Sequence, residues 1–291
     1  MTAPIAAPAV AAVTAYSPTR HAAPCGLDLS GSEGPSDALF LARALAAAAG
    51  VGGRYPDARE LTALLAARLD IDTSRVLVTA GADDALERAC RAVLAPGREA
   101  IVTSPTFEML PRYVALTGAT QVTVPWRAGM NLADGIIAAA TPRTALVAIV
   151  SPNNPTGSVL TIDDVRRIHD ALPQAVLLLD LVYVEFADVD ITDDALRLPR
   201  VVIARTFSKA WGLPGLRVGY AAGSPEVVDW MRAAGSPYPV SGPSLAVTVA
   251  ALAERESAII AQVAAVRSMR ARLFDLLESL DLAPDPSQAK L

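Results

Sequence analysis

Lysine occurs twice in this chain of 291 residues, at Lys209 and Lys290, while arginine supplies the other 23 basic side chains. A guanidinium keeps its charge at any working pH. A lysine amine can lose its proton and attack a carbonyl carbon. Chance survival of one lysine is the plain alternative, and the neighbours of Lys209 argue against it. The segment 206–217 reads TFSKAWGLPGLR. Its lysine directly follows a β-branched run, where burial disfavours the charged amine and prepares a nucleophile. Thr206 and Ser208 bring hydroxyls, and Arg217 brings a fork of donors that suits a phosphate. An S-x-x-K hydrolase motif competes for the same stretch, but position 206 is threonine and no S-D-N or K-T-G partner is present.

Other residues fall at comparable places. TAGADDAL at 79–86 sets Gly81 between a strand and a helix, so that Ala82 and Asp83 open the helix. Free N–H groups at a helix start attract phosphate, and a glycine lets the backbone come close. Helix capping by Asp83 is the bland reading of the same residues. Asp180 ends the run AVLLLD. A carboxylate buried there needs a partner, and a protonated ring nitrogen is a good one; taken alone, a strand-end Asp is more often a cap. Tyr183, three residues on, and Asn154, within SPNNPTG, can each donate to a phenolic oxygen. As turn chemistry SPNNPTG explains itself. Phe107 can stack on a planar ring.

These residues need a scaffold that brings them to one place. Residues 57–69 and 83–94 have helical spacing, and Pro96-Gly97 stops the second. Strand-like runs stand at 76–81, 100–103, 120–124, 144–150, 175–179, 201–205 and 218–222, with helical segments such as 162–171 between several of them. The pattern predicts an α/β fold, a three-layer sandwich around a mostly parallel sheet of seven strands. Ligands of such sheets bind beyond the carboxyl ends of the strands, where all the residues above lie. After Ser241-Gly242-Pro243 helical sequence continues to about Leu280. Ile259, Val263, Val266, Met269, Leu273, Leu276 and Leu280 form one apolar stripe in it.

Composition narrows the partners. Hydrophobic residues make up 52% and charged ones 19%, as in a globular chain, and the net charge is −5 with no basic block, which argues against nucleic acid. Cys25 and Cys90 form no C-x-x-C motif, and His21 and His169 stand apart, so a His-based metal site is not expected. No run reads as a transmembrane helix. The Ala- and Pro-rich start lacks an early positive charge and is expected to be a flexible arm of a cytoplasmic protein rather than a signal peptide.

RYPDARELTALLA, TAGADDALERAC, SPTFEML, SPNNPTG, DLVYVEF, TFSKAWGLPGLRVGY and SPYPVSGPSLA together resemble, in order, the class I/II aminotransferases of the fold-type I pyridoxal-phosphate enzymes. The nearest branch is that of the histidinol-phosphate aminotransferases, and the likeness covers roughly residues 27–280. The resemblance implies pyridoxal 5'-phosphate as cofactor, with Lys209 as the catalytic lysine that carries it. Asp180 would pair the pyridine nitrogen, Asn154 and Tyr183 the phenolic oxygen, and Phe107 would lie over the ring. Ala82, Asp83, Thr206, Ser208 and Arg217 would hold the phosphate. Tyr55, in RYPD, would reach the cofactor of a partner subunit, which implies a homodimer.

The resemblance further implies transfer of an amino group between a small amino donor, an amino acid or amino-alcohol phosphate of the histidinol-phosphate kind, and a 2-oxo acid. The alternatives are decarboxylation of a phosphorylated amino acid such as threonine phosphate, and cofactor binding without turnover. Two departures stand out. LDLSGSEGPS at 27–36 lacks the branch's asparagines, and PSQAKL resembles the start of a small C-terminal domain whose substrate-binding arginine is not in this sequence. The expected organisation is an N-terminal arm at 1–32, a large cofactor-binding domain at 33–240, and a helical start of a truncated small domain at 241–291.

Overall fold

The computed structural model describes residues 5–17, 31–35, 37–127 and 129–290. Cys25, His21 and residues 27–30 and 36 of the LDLSGSEGPS segment lie outside them. The β-branched and leucine-rich runs form seven strands: β1 (Val76–Thr79), β2 (Glu99–Ser104), β3 (Thr120–Pro125), β4 (Thr144–Val150), β5 (Val176–Asp180), β6 (Val201–Thr206) and β7 (Gly219–Gly223). They make one sheet in the order β1-β7-β6-β5-β4-β2-β3. β7 runs antiparallel to both its neighbours, β1 and β6. All other pairs are parallel.

The helices are α1 (Pro8–Ala11), α2 (Ala38–Ala47), α3 (Arg59–Arg68), α4 (Gly81–Val93), α5 (Met109–Leu116), α6 (Leu132–Ala139), α7 (Ile162–Ala171), α8 (Thr192–Leu196), α9 (Pro225–Ala233), α10 (Gly242–Glu254) and α11 (Glu256–Ser279). Every residue of β5 and β7 is buried, so both faces of the sheet are covered, as a three-layer α/β sandwich requires. α4 lies across β5, β6 and β7. Its apolar face, Ala82, Ala85, Leu86, Ala89 and Val93, is buried, and Arg88 pairs with Asp84 at 2.7 Å one turn back.

The helical sequence after residue 240 is broken once. Arg255 is buried between α10 and α11, its guanidinium 5.1 Å from the centre of the Phe40 ring and donating to the Trp211 carbonyl at 3.3 Å. Along α11, Ile259 is buried and Val263 and Val266 pack against the core, whereas Met269, Leu273, Leu276 and Leu280 are more than half exposed. The apolar stripe therefore finds a partner only in its first half. No described helix is long and apolar enough to cross a membrane.

Candidate active site

The sheet's neighbour relations assemble the site. β4, β5 and β6 lie side by side with their carboxyl ends together, Val150 opposite Asp180 and Asp180 opposite Ala204. A cavity of about 270 Å³ opens there, and Lys209, Asp180, Asn154, Phe107, Tyr183, Thr206, Ser208, Arg217, Ala82 and Asp83 all line it. Sequence positions from 82 to 217 thus meet in one place. Tyr55 does not join them: it is 82% exposed and stacks on Tyr238 with ring centres 4.9 Å apart.

Asp180 is buried at the end of β5, and its carboxylate accepts a single long hydrogen bond, 3.3 Å, from the Val182 N–H. No cation among the described residues pairs with it. Burial pushes its pKa up to about 7. A carboxylate kept dry without a counter-charge is set to take a cationic N–H from outside the chain.

Lys209 Nζ donates to the Gly31 carbonyl at 2.9 Å and lies 5.5 Å from the centre of the Tyr183 ring. Burial lowers its pKa; Asp83, Glu33 and Asp180 oppose that, and Arg217 adds to it. The amine is therefore readier to deprotonate than a surface lysine. Burial pushes the Tyr183 phenol up to about 12, against the opposite effect of a hydrogen bond with Ser32, so it is a neutral donor.

The anion-binding end forms where α4 begins. Gly81 has φ +77°, and a Cβ there would stand 2.5 Å from a terminal nitrogen of Arg217. Glycine is thus required both for the backbone and for the room. The N–H groups of Gly81, Ala82 and Asp83 belong to the first turn, which leaves them without helical partners. Arg217, itself at φ 53°, donates to Asp83 Oδ2 at 3.0 Å and to Ser208 Oγ at 3.3 Å. Asp83 so orients the guanidinium with its side chain and offers its backbone N–H. Thr206 Oγ1 accepts from the Ser208 N–H at 3.1 Å, which fixes the turn leading into Lys209.

Asn153, rather than the Asn154 singled out above, holds the loop after β4. It is fully buried and its amide donates to the Pro105 carbonyl at 3.0 Å and to Thr156 Oγ1 at 2.9 Å. This frees Asn154 to line the cavity. Gly31 and Glu33 also line it, and neither was singled out from the sequence. The departure of LDLSGSEGPS from the family pattern was the available signal, since an unusual segment in a matched position marks a surface worth inspecting.

These residues fit pyridoxal phosphate by the chemistry of their donors. Asp180 is a buried carboxylate in no ion pair among the described residues, and the first turn of α4 and Arg217 supply N–H groups.

Comparison with known proteins agrees. Residues 28–291 match the family described as aminotransferase class I and II, and the chain belongs to it. It is 37% identical over 253 residues to an aromatic amino acid aminotransferase of Thermobifida fusca (strain YX), covering 84% of this chain and 70% of that protein. A histidinol-phosphate aminotransferase of Paracoccus denitrificans (strain Pd 1222) is also 37% identical, covering 75% of this chain and 60% of its own length. The crystal structure of histidinol-phosphate aminotransferase from Sinorhizobium meliloti in complex with pyridoxal-5'-phosphate superposes with a TM-score of 0.79 at 28% identity, covering 88% and 71% of the two chains. An aspartate aminotransferase from Thermus thermophilus with maleate gives 0.78 at 25% identity, covering 89% and 74%.

Proposed function

We propose that the chain holds pyridoxal 5'-phosphate on Lys209 and moves an amino group between a histidinol-phosphate-like amino acid or amino-alcohol phosphate and a 2-oxo acid. The observation that carries this reading is the buried Asp180, in no ion pair among the described residues, facing the same cavity as Lys209. When bound, the cofactor supplies an electron sink beside the carbon that gives up its proton. Asp180 keeps a proton on the ring nitrogen. Asn154 and the neutral Tyr183 donate to the phenolic oxygen, and Phe107 covers the ring. Arg217, Ser208, Thr206 and the N–H groups of Ala82 and Asp83 hold the phosphate. Lys209 Nζ, once free, would take the proton from the amino-bearing carbon of the donor and later give a proton back, so it would serve as general base and then acid.

Residues 33–240 are assigned to the cofactor-binding unit. Tyr55 is exposed and does not line the chain's own cavity, as a side chain serving a second subunit would be, and the reading includes a homodimer. The test is the visible absorbance of the purified chain, followed by borohydride reduction and mapping of the adduct. The adduct is expected on Lys209, and a Lys209→Ala variant is expected to lose amino transfer entirely. Release of carbon dioxide from threonine phosphate without amino transfer would instead establish the decarboxylase alternative. Cofactor absorbance with no amino transfer from any donor would establish a binding protein.

A further inference from the structure

Lys290 does not line the cavity, yet it reaches the segment that does. Its Nζ donates to the Ser32 carbonyl at 3.1 Å, next along the chain from the Gly31 carbonyl that receives Lys209. Ser32 sits at φ 47°, a left-handed conformation that a serine adopts only under outside restraint. The restraint the structure shows is the Lys290 ammonium on its carbonyl. Gly34 marks how close the parts come. A Cβ at that position would lie 3.5 Å from the Lys209 carbonyl oxygen and 3.6 Å from Lys290 Nζ.

The stretch that delivers Lys290 is anchored on the other rim of the cavity. The Gln288 N–H donates to the Gly157 carbonyl at 2.9 Å, and Gln288 Oε1 accepts from the Asp188 N–H at 2.9 Å. Ala289 is fully buried and its carbonyl accepts from Arg270 at 3.2 Å. Gly157 has φ +70°, and a Cβ there would fall 2.0 Å from Ser287 Oγ. Residues 287–290 therefore bridge the Asn154 loop to the 31–34 segment, with Lys290 as the last link.

We propose that Lys290 is a positioning residue for Lys209: by holding the Ser32 carbonyl it fixes the 31–34 segment, and with it the Gly31 carbonyl that receives the Lys209 amine. The inference deepens the reading of Lys209 as the reactive amine, but its test uses the cofactor-free chain and so stands or falls separately.

Removing the Lys290 ammonium has two opposed effects on Lys209. Loss of a fixed Gly31 acceptor makes the protonated amine less favourable. Loss of a nearby positive charge does the reverse. Lys290 is only half-buried, so its repulsion is screened by solvent, whereas Lys209 meets the Gly31 carbonyl directly at 2.9 Å. The first effect dominates, and the free-amine fraction of Lys209 rises. Asp83, Asp180 and Arg217 lie off the 31–34 segment; Glu33 lies on it and faces both lysines, so loosening the segment also weakens a charge that favours the protonated Lys209.

Because the chain has two lysines, acylation by N-hydroxysuccinimidyl acetate at pH 8 can be read for each by peptide mass spectrometry. Lys209 in Lys290→Met is expected to react about fivefold faster than in the unaltered chain, as for an amine pKa lowered by about 0.7. Lys290→Arg, which restores a cationic donor, is expected to stay within about twofold of the unaltered chain. An unchanged or slower Lys209 in Lys290→Met overturns the proposal, and so does an Arg variant as fast as the Met variant. A lowered melting temperature without faster acylation makes Lys290 merely structural and likewise overturns it. If circular dichroism shows that the Met variant does not fold, Lys290→Gln is measured and judged in the same way.

Discussion

Lys209 and Lys290 donate to consecutive carbonyls of one segment, those of Gly31 and Ser32, at 2.9 and 3.1 Å. One amine comes from the turn after β6 and the other from the stretch beyond α11. A chain that otherwise uses arginine has brought both of its lysines to the rim of a single cavity.

Asp180 gives a prediction about stability. Its pKa is about 7 in the folded chain and near 3.8 when unfolded, so the folded state binds the proton more tightly. The contribution of Asp180 to cofactor-free stability is then fully present below about pH 4 and is lost as pH rises through 7. The loss amounts to about 4 kcal/mol at most. Asp180→Asn removes the titrating group. Urea denaturation at pH 8 should show the variant more stable than the unaltered cofactor-free chain by about 2–4 kcal/mol, with the gap closing toward pH 4. Cofactor retention should drop in the same variant, since its ring nitrogen loses an anion.

Arg205 lies behind Thr206 on β6, buried against Glu185 at 2.9 Å and Thr192 at 2.9 Å. Burial opposes its charge most strongly, and Glu185, Tyr220 and Asp190 together more than offset it. Arg205→Leu would strand the carboxylate of Glu185. A loss of about 3 kcal/mol is expected in urea denaturation at pH 7. Adding Glu185→Gln should recover part of it, because no buried charge then remains unpaired.

The second half of α11 carries Met269, Leu273 and Leu276, each more than half exposed. Leu273→Glu with Leu276→Lys should leave the melting temperature within a few degrees, since neither side chain is buried. Light scattering at high protein concentration should fall, because the exposed apolar patch is broken.

Tyr55→Phe keeps the ring stack on Tyr238 and removes one hydroxyl. If a partner subunit supplies that hydroxyl to the cofactor, dialysis should strip cofactor from the variant several-fold faster, with the sedimentation coefficient unchanged. Equal retention would exclude the hydroxyl from the neighbouring site.

Much of the site was legible because its residues sit at strand ends, and strand ends are what β-branched runs display. Asp180, Thr206 and Lys209 follow from AVLLLD and VVIARTFSK in that way. Asn154 lines the cavity, while the loop-holding role of its neighbour Asn153 shows only once burial separates two adjacent asparagines of one turn. The break at Arg255 was hidden since a continuous helical pattern does not show which arginine will be buried. Lys290 was counted but not placed. No periodicity ties residue 290 to residue 32, and only the folded path of the chain brings them together.

Asp180 stands opposite Ala204 on the neighbouring strand, and Lys209 follows five residues later. The spacing between the carboxylate and the amine is therefore set by one interstrand step of about 4.8 Å and a short turn. It does not depend on the length of the connection through α8 that joins the two strands. That connection is exposed at Val189. Residues grafted there, such as a reporter peptide or a tether to a surface, would lengthen the path along the chain without changing the distance across the sheet. Asp180 and Lys209 behave as rivets on adjacent planks, their separation set across the sheet rather than along the chain that joins them.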